Sequence, residues 1–152
     1  MEGYLMVVIE GYNLPDDLYY VPEDGVGNSW ARVEPDGTVT IGIDDFFQKQ
    51  AKTIRYVDLP FEGDTVEQMK AFATLESEKW VGKVSSPVSG EVIAVNSELM
   101  DNPKFINEDP YGKGWLIKVK PTNLEEELKK LVHGPDQIKE LISKSIQKYL
   151  KK

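Results

Sequence analysis

The chain has 152 residues, of which 40% are hydrophobic and 29% are charged, and its formal net charge is −8. This length suits one domain with a small appendage, and the composition is that of a folded globular protein rather than a disordered one. The longest early apolar stretch, residues 4–9, is far shorter than the roughly 18–20 residues that span a bilayer, and it lacks the basic leader of a secretory signal. We therefore expect a cytoplasmic protein without a membrane partner.

Residue types that several kinds of active site require are scarce. The chain has no cysteine, which excludes disulfides, cysteine-based zinc sites and a cysteine nucleophile. Its single histidine, His133, precedes Gly134, and we interpret it as a helix-end residue rather than a catalytic one. With a single histidine, a Ser-His-Asp triad has only one candidate base and a multi-histidine metal site cannot form. We therefore expect no catalytic and no metal-binding residues.

Acidic and basic residues are unevenly distributed along the chain. Residues 1–121 carry a balance of −10, whereas residues 122–152 carry a balance of +2. An acidic main body argues against a protein that tracks nucleic-acid phosphates, so no nucleic-acid partner is expected. It suits a protein that meets basic partner surfaces, although solubility alone explains the charge equally well.

The first half of the chain predicts short strands, a hairpin and one helix. Residues 4–15 form a strand-like run, and residues 19–30 are rich in Gly, Pro and acids and predict a loop. Alternating apolar residues on either side of Pro35-Asp36-Gly37 predict a hairpin. A short helix is predicted over residues 44–50, and Asp44 can cap it.

The middle of the chain predicts further strands at close spacing. The predicted strand segments are residues 53–60, 70–77, 80–88, 89–96 and 115–120. Gly63 and Gly90 lie in predicted turns, where glycine can adopt a positive φ. Many short strands separated by turns are the pattern of a small sandwich or barrel.

The hydrophobic period changes after Pro121. Residues 123–132 predict a helix with leucines on one face, and residues 136–152 predict a second amphipathic helix with Asp136 as a candidate cap. Two such helices most often pack on their own domain. A docking or dimerisation role is the alternative.

One lysine in the middle of the chain stands between two predicted strands. Residues 77–80, Ser-Glu-Lys-Trp, are the natural loop where the chain must reverse, so Lys79 is expected at a hairpin tip that another protein can reach. Glu76 and Glu78 would favour its charged form, which makes it a poor catalytic lysine but suits a modification site. From these residues alone, a solvated turn lysine is the simpler interpretation.

Five segments in order along the chain match a known family pattern. They are WARVEPDGTVTIGIDDFFQKQ (30–50), IRYVDLPFEGDTV (54–66), ESEK (76–79), SPVSGEVIAVN (86–96) and NEDPYGKGWLIKVKP (107–121). Together they resemble the lipoyl attachment domain, and most closely the glycine cleavage system H-protein family. The resemblance implies a mostly β, lipoyl-domain-like flattened barrel or sandwich (a barrel-sandwich hybrid), with a short helix after the first hairpin and C-terminal helices.

The resemblance also implies a division of the chain and a cofactor. The predicted parts are an N-terminal extension (1–17), a lipoyl-carrier domain (18–121) and a C-terminal helical segment (122–152). Lipoate is expected on Lys79 through an amide, and the residues flanking the arm are Glu76, Ser77, Glu78 and Trp80. The absence of cysteine fits this expectation, because no thiol of the chain would compete for the sulfurs of the arm.

The function implied by the resemblance is that of a carrier, not an enzyme. Such a carrier takes an aminomethyl group from glycine decarboxylase (P-protein) and passes it to an aminomethyltransferase (T-protein). Dihydrolipoamide dehydrogenase (L-protein) then reoxidises the dithiol of the lipoyl arm. Lipoate-attaching enzymes are further expected partners. The tether raises the local concentration of the arm at each active site.

Two departures from the family pattern leave alternatives open. Glu78 and Trp80 stand where the family has small or apolar residues. A lipoyl carrier for another system, such as a heterodisulfide-reductase-like sulfur-oxidising complex or lipoyl relay, is the alternative function. An unmodified interaction module with a lipoyl-like fold is a third. Biotin is disfavoured, because biotin-accepting lysines usually lie between methionines.

Overall fold

The computed structural model describes residues 5–22, 28–78 and 80–150. The strands are β1 (Met6–Ile9), β2 (Tyr12–Pro15), β3 (Tyr19–Tyr20), β4 (Ser29–Val33), β5 (Val39–Ile43), β6 (Ile54–Asp58), β7 (Thr65–Val66), β8 (Ala71–Ser77), β9 (Val81–Ser85), β10 (Gly90–Val95) and β11 (Ile117–Pro121). The helices are α1 (Asp45–Ala51), α2 (Phe105–Glu108), α3 (Leu124–Leu128) and α4 (Pro135–Tyr149), with a 3-10 turn at Ser97–Met100.

The strands pair antiparallel into three sheets. Their orders are β1-β2, β3-β4-β5-β11-β10-β7 and β6-β8-β9. The two larger sheets bury one shared core, to which β5 contributes Ile41, β8 contributes Leu75 and β11 contributes Val119. Sheets that enclose a common core form a sandwich, so the predicted mostly β fold is confirmed, as are the helix after hairpin β4–β5 and the C-terminal helices. Within the described residues, the strands do not close into a barrel.

Helix α1 begins where the sequence predicted and joins two cores. The carboxylate of Asp44 accepts the N–H of Phe47 at 2.7 Å, which caps the helix. Phe47 is buried in the core between the two larger sheets, and its neighbour Phe46 is buried in a second cluster. Burial raises the pKa of Asp44 to about 7. Hydrogen bonds from Phe47 and Asn28 lower the pKa, but the effect of burial is larger.

The second cluster brings together the two ends of the described chain. Hairpin β1–β2 turns at Glu10 and Gly11, which both have a positive φ. The cluster's larger buried side chains include Val7, Leu14, Leu18, Tyr20, Trp30, Phe46, Ile138, Leu141, Ile142 and Ile146. The described parts of the predicted N-terminal extension therefore pack with α4, and α4 packs on its own chain. The predicted divisions after residues 17 and 121 stay predictions.

The prediction that Asp136 caps helix α4 is wrong. Gly134 occupies the N-cap position with φ of 90°, and Pro135 begins the helix. Proline suits this first position, because its fixed φ matches the helix and its missing N–H would have had no helical partner. Asp136 lies in the first turn, where a negative charge interacts favourably with the helix dipole.

In the part of the chain that the structure describes, no helix combines the length and the apolar character that crossing a membrane requires.

Gly63 and Gly90 are glycines for different reasons. Gly63 has φ of 95°, as a tight turn allows, whereas Gly90, which was predicted in a turn, begins strand β10 and has no positive φ. Gly90 pairs with Pro121 in the β10–β11 ladder, and a Cβ at this position would lie 2.3 Å from the carbonyl oxygen of Lys120. The close approach of the neighbouring strand therefore requires glycine at position 90.

Candidate functional site

Strands β8 and β9 form a hairpin, and residues 78–80 connect them. Their ladder extends to the pair Glu76–Val81, and beyond it the N–H of Ser77 donates to the carbonyl of Trp80 at 2.8 Å. Glu78 and Lys79 are therefore the residues between the closing pair, which confirms the predicted reversal. Lys79 itself lies outside the described residues, so lipoate attachment at this lysine stays a prediction.

The carboxylate of Glu78 is ion-paired with a residue from the neighbouring strand. Arg55 Nη2 lies 3.1 Å from Glu78 Oε2, and Arg55 belongs to β6, on the side of β8 opposite to β9. The side chains are 55% and 71% exposed, respectively, so solvent screens the pair and it adds little to stability. Arg55 was not among the residues predicted around the tip, because the pairing of β6 with β8 cannot be deduced from either segment alone.

Trp80 attaches the other side of the tip to the core. Its half-buried ring packs against the main core cluster and meets Phe47 edge-on, with ring centroids 5.4 Å apart. Gly82 makes room for the ring, because a Cβ at Gly82 would lie 2.1 Å from it. Trp80 therefore anchors the hairpin, a role that its place beside the predicted arm did not indicate.

Glu76 lies in a row of exposed residues behind the tip. Its ladder partners are Tyr56 on β6 and Val81 on β9, and partners in antiparallel strands project from the same face. Tyr56 is 69% exposed and Val81 is 63% exposed. The outer face of the three-stranded sheet thus presents a carboxylate between two apolar side chains.

A cavity of about 340 Å³ lies farther from the tip along the same sheet. The next row on this face, Asp58, Thr74 and Lys83, contributes to its lining. Asp64 and Phe72 also line it. The cavity therefore combines charges of both signs with an aromatic side chain.

His133 has contacts that give it a structural role. Its ring stacks on Tyr19 with centroids 4.0 Å apart, and its Nδ1 lies 2.9 Å from the carbonyl oxygen of Leu18. The adjacent Val132 exchanges backbone hydrogen bonds with Tyr20 of β3. These contacts join the segment before α4 to the six-stranded sheet.

Across residues 5–22, 28–78 and 80–150, no group of three or more His, Cys, Asp or Glu side chains is placed to hold a metal ion.

Comparisons of this chain with family models, with curated proteins and with solved structures all match the same family. The model of the family described as "Glycine cleavage H-protein" matches residues 18–145. The "Probable glycine cleavage system H protein" of Pyrococcus abyssi is 49% identical over 127 residues, which are 84% of this chain and 91% of that protein. The "Probable glycine cleavage system H protein 2" of Saccharolobus solfataricus is 45% identical over 141 residues, which are 91% of this chain and 94% of that protein.

The fold agrees with a solved structure from the same family. The crystal structure of a glycine cleavage system H protein from Mycobacterium marinum superposes with a TM-score of 0.65 at 30% identity. The match covers 77% of this chain and 98% of that chain. Sequence and fold lead to the same conclusion: this chain belongs to the glycine cleavage H-protein family.

Proposed function

We propose that this chain is a lipoyl carrier of the glycine cleavage system and that it bears lipoate on Lys79. Membership of the H-protein family supports the carrier role, since H-proteins are carriers and not catalysts. The observation that carries the choice of residue is the short β8–β9 connection. The closing hydrogen bond between Ser77 and Trp80 leaves Glu78 and Lys79 between them, and of these two only lysine offers an amine.

The described flanks of the tip suit covalent attachment of a lipoyl group. An amide needs a primary amine that a modifying enzyme can reach on the folded chain. Glu78 and Val81, on either side of the tip, are largely exposed, while Trp80 packs on the core. The hairpin is thus held by the fold and open to a second protein. When attached, lipoate supplies a dithiolane that undergoes thiol–disulfide exchange and can carry an aminomethyl group.

The partners that this function requires are those of glycine cleavage. They are glycine decarboxylase, the aminomethyltransferase, dihydrolipoamide dehydrogenase and lipoate-attaching enzymes. The acidic balance of residues 1–121 suits docking on basic partner surfaces. The relatives from Pyrococcus abyssi and Saccharolobus solfataricus both bear the glycine cleavage name, so a carrier role in a heterodisulfide-reductase-like complex is not favoured.

Intact mass spectrometry tests the attachment. The protein is produced in a host that lipoylates its own proteins, and peptide mapping locates the added group. We expect one lipoyl group on Lys79 in the wild type and none on Lys79→Arg, whose thermal unfolding should be unchanged. Lys70→Arg and Lys83→Arg are matched controls that keep the group. An unmodified wild type, or a lipoyl group on Lys70 or Lys83, would contradict the proposal.

A functional assay then tests the partner system. Purified glycine decarboxylase should exchange the glycine carboxyl group with bicarbonate when supplied with lipoylated wild-type carrier. It should not do so with Lys79→Arg. If the lipoylated wild type fails to support this exchange, the carrier serves another system.

A further inference from the structure

A charge beside Lys79 is engaged by a residue from a different strand. Glu78 directly precedes Lys79, and its Oε2 lies 3.1 Å from Nη2 of Arg55, 23 residues earlier in the chain. Arg55 lies in β6 and reaches the tip from the side opposite to β9. The Glu78 carboxylate is therefore drawn toward β6.

The backbone of β6 is irregular at Arg55. The ladder pairs Ile54 with Ser77 and Tyr56 with Glu76, so Arg55 is an extra residue in β6 at a bulge. Bulges change the direction of a side chain relative to a regular strand. The pair also contributes little to stability, because both side chains are more than half exposed. The consequence of this contact that matters for the tip is where it places the Glu78 carboxylate, which lies directly before Lys79 in the chain.

The chemistry of lipoate attachment supplies such a role. The neutral amine of Lys79 attacks the carbonyl carbon of lipoyl-adenylate, and a C–N bond forms. The bond from that carbon to the AMP oxygen breaks, AMP leaves, and the nitrogen releases a proton to solvent. A carboxylate that pairs with the lysine favours the ammonium form and so reduces the fraction of amine that can attack.

We propose that Arg55 is a positioning residue for lipoylation, which holds the Glu78 carboxylate on the β6 side and keeps it from pairing with Lys79. This inference rests on the proposed attachment at Lys79. The remaining charged side chains on the three strands of this sheet are Asp58, Glu76 and Lys83. On helix α1, whose Phe47 packs against Trp80, Asp45 and Lys49 are ion-paired with each other. Arg55 is thus the cation that engages Glu78.

The test compares acylation rates of full-length, unlipoylated variants. A purified lipoate-protein ligase with lipoate and ATP modifies each variant, and intact mass gives the initial rate. We expect Arg55→Ala to react about two- to fivefold more slowly, in line with the strength of an exposed ion pair. Arg55→Lys should restore most of the rate, and the double variant Arg55→Ala/Glu78→Gln should restore it fully. Lys129→Ala, which removes the exposed pair with Glu126, is the charge-matched control and should match the wild type.

A chemical probe separates reactivity of the lysine from recognition by the ligase. An activated ester of lipoate acylates exposed amines, and peptide mapping follows Lys79 as the pH is varied. The pH profile of Lys79 should move to higher pH in Arg55→Ala and return in the double variant.

Three results would overturn the inference. Equal rates for Arg55→Ala and the wild type, with Lys79 acylated in both, would overturn it and leave the attachment site standing. So would a slow Arg55→Ala that Glu78→Gln does not rescue, because Arg55 would then act by contacting the ligase. A wild type that is not acylated at Lys79 would overturn the proposed attachment and this inference together.

Discussion

The ring of Trp80 meets the ring of Phe47 edge-on, with centroids 5.4 Å apart and planes inclined at 88°. This contact joins the end of hairpin β8–β9 to helix α1, which is itself fixed by the Asp44 cap. The segment that carries the proposed attachment residue is therefore supported from the core, although the neighbouring Glu78 side chain is 71% exposed. A modifying enzyme would meet a hairpin that Trp80 fixes to the core.

Replacing Trp80 by Ala should loosen this support. The variant loses the edge-on aromatic pair and the burial of half a large ring, which together should lower the free energy of unfolding by about 1–3 kcal/mol. Urea unfolding measures the change. Trp80→Phe keeps an aromatic edge at the same place and should lose less. An unchanged unfolding midpoint in Trp80→Ala would contradict the anchoring role.

Gly82→Ala should displace the same ring from the other direction. A Cβ at Gly82 would lie 2.1 Å from the Trp80 ring, so the ring must leave its position against Phe47. We expect a loss of about 1–3 kcal/mol from this overpacking. In the background of Trp80→Ala the clash is gone, so the two losses should not add. Additive losses in this double-mutant cycle would show that Gly82 acts through some other contact.

Glu127 of helix α3 should stabilise the turn before β10. Its buried carboxylate accepts the N–H of Ser89 at 2.7 Å and the hydroxyl of Ser89 at 2.6 Å. Glu127→Ala leaves that N–H without its partner, and we expect a loss of about 2–3 kcal/mol, since hydrogen bonds to a charged group are strong. Its neighbour Glu126 is exposed and paired with Lys129, so Glu126→Ala is the control and should lose less than about 1 kcal/mol. Urea unfolding decides between them, and equal losses would refute the role of Glu127.

Asp44 should make stability depend on pH. Burial raises the pKa of Asp44 from 3.8 to about 7 in the folded chain, so the folded state holds this proton more tightly than the unfolded state. The contribution to the free energy of unfolding is fully present below pH 3.8 and is lost as pH rises through about 7.

Asp44→Asn removes this titration while keeping an oxygen that can accept the N–H of Phe47. The difference in melting temperature between the variant and the wild type should therefore move in favour of the variant as pH rises across that range. Thermal unfolding at several pH values measures it, with exposed Asp101→Asn as the control. Parallel pH curves for Asp44→Asn and the wild type would contradict the raised pKa.

Local patterns predicted much of the fold correctly. Hairpin β4–β5, helix α1 with its Asp44 cap and the reversal between β8 and β9 all depend on contacts between residues close in the chain. The errors at Gly90 and Asp136 have a different origin. Gly90 is a glycine because a separate strand, β11, passes close to it. Gly134, not Asp136, occupies the N-cap position of α4, because Pro135 can serve as the first residue of a helix. The sequence pattern instead favoured the polar residue after Pro135 as the cap.

By itself, the sequence determined the family pattern, the short strands and the lysine between two of them, because order, spacing and turn residues are local properties. Only the tertiary structure decided what surrounds that lysine. Arg55 reaches Glu78 through the bulged pairing of β6 with β8, and Phe47 of helix α1 contacts the ring of Trp80. Both contacts depend on how separate segments pack around one core, and no stretch of the sequence encodes that packing alone.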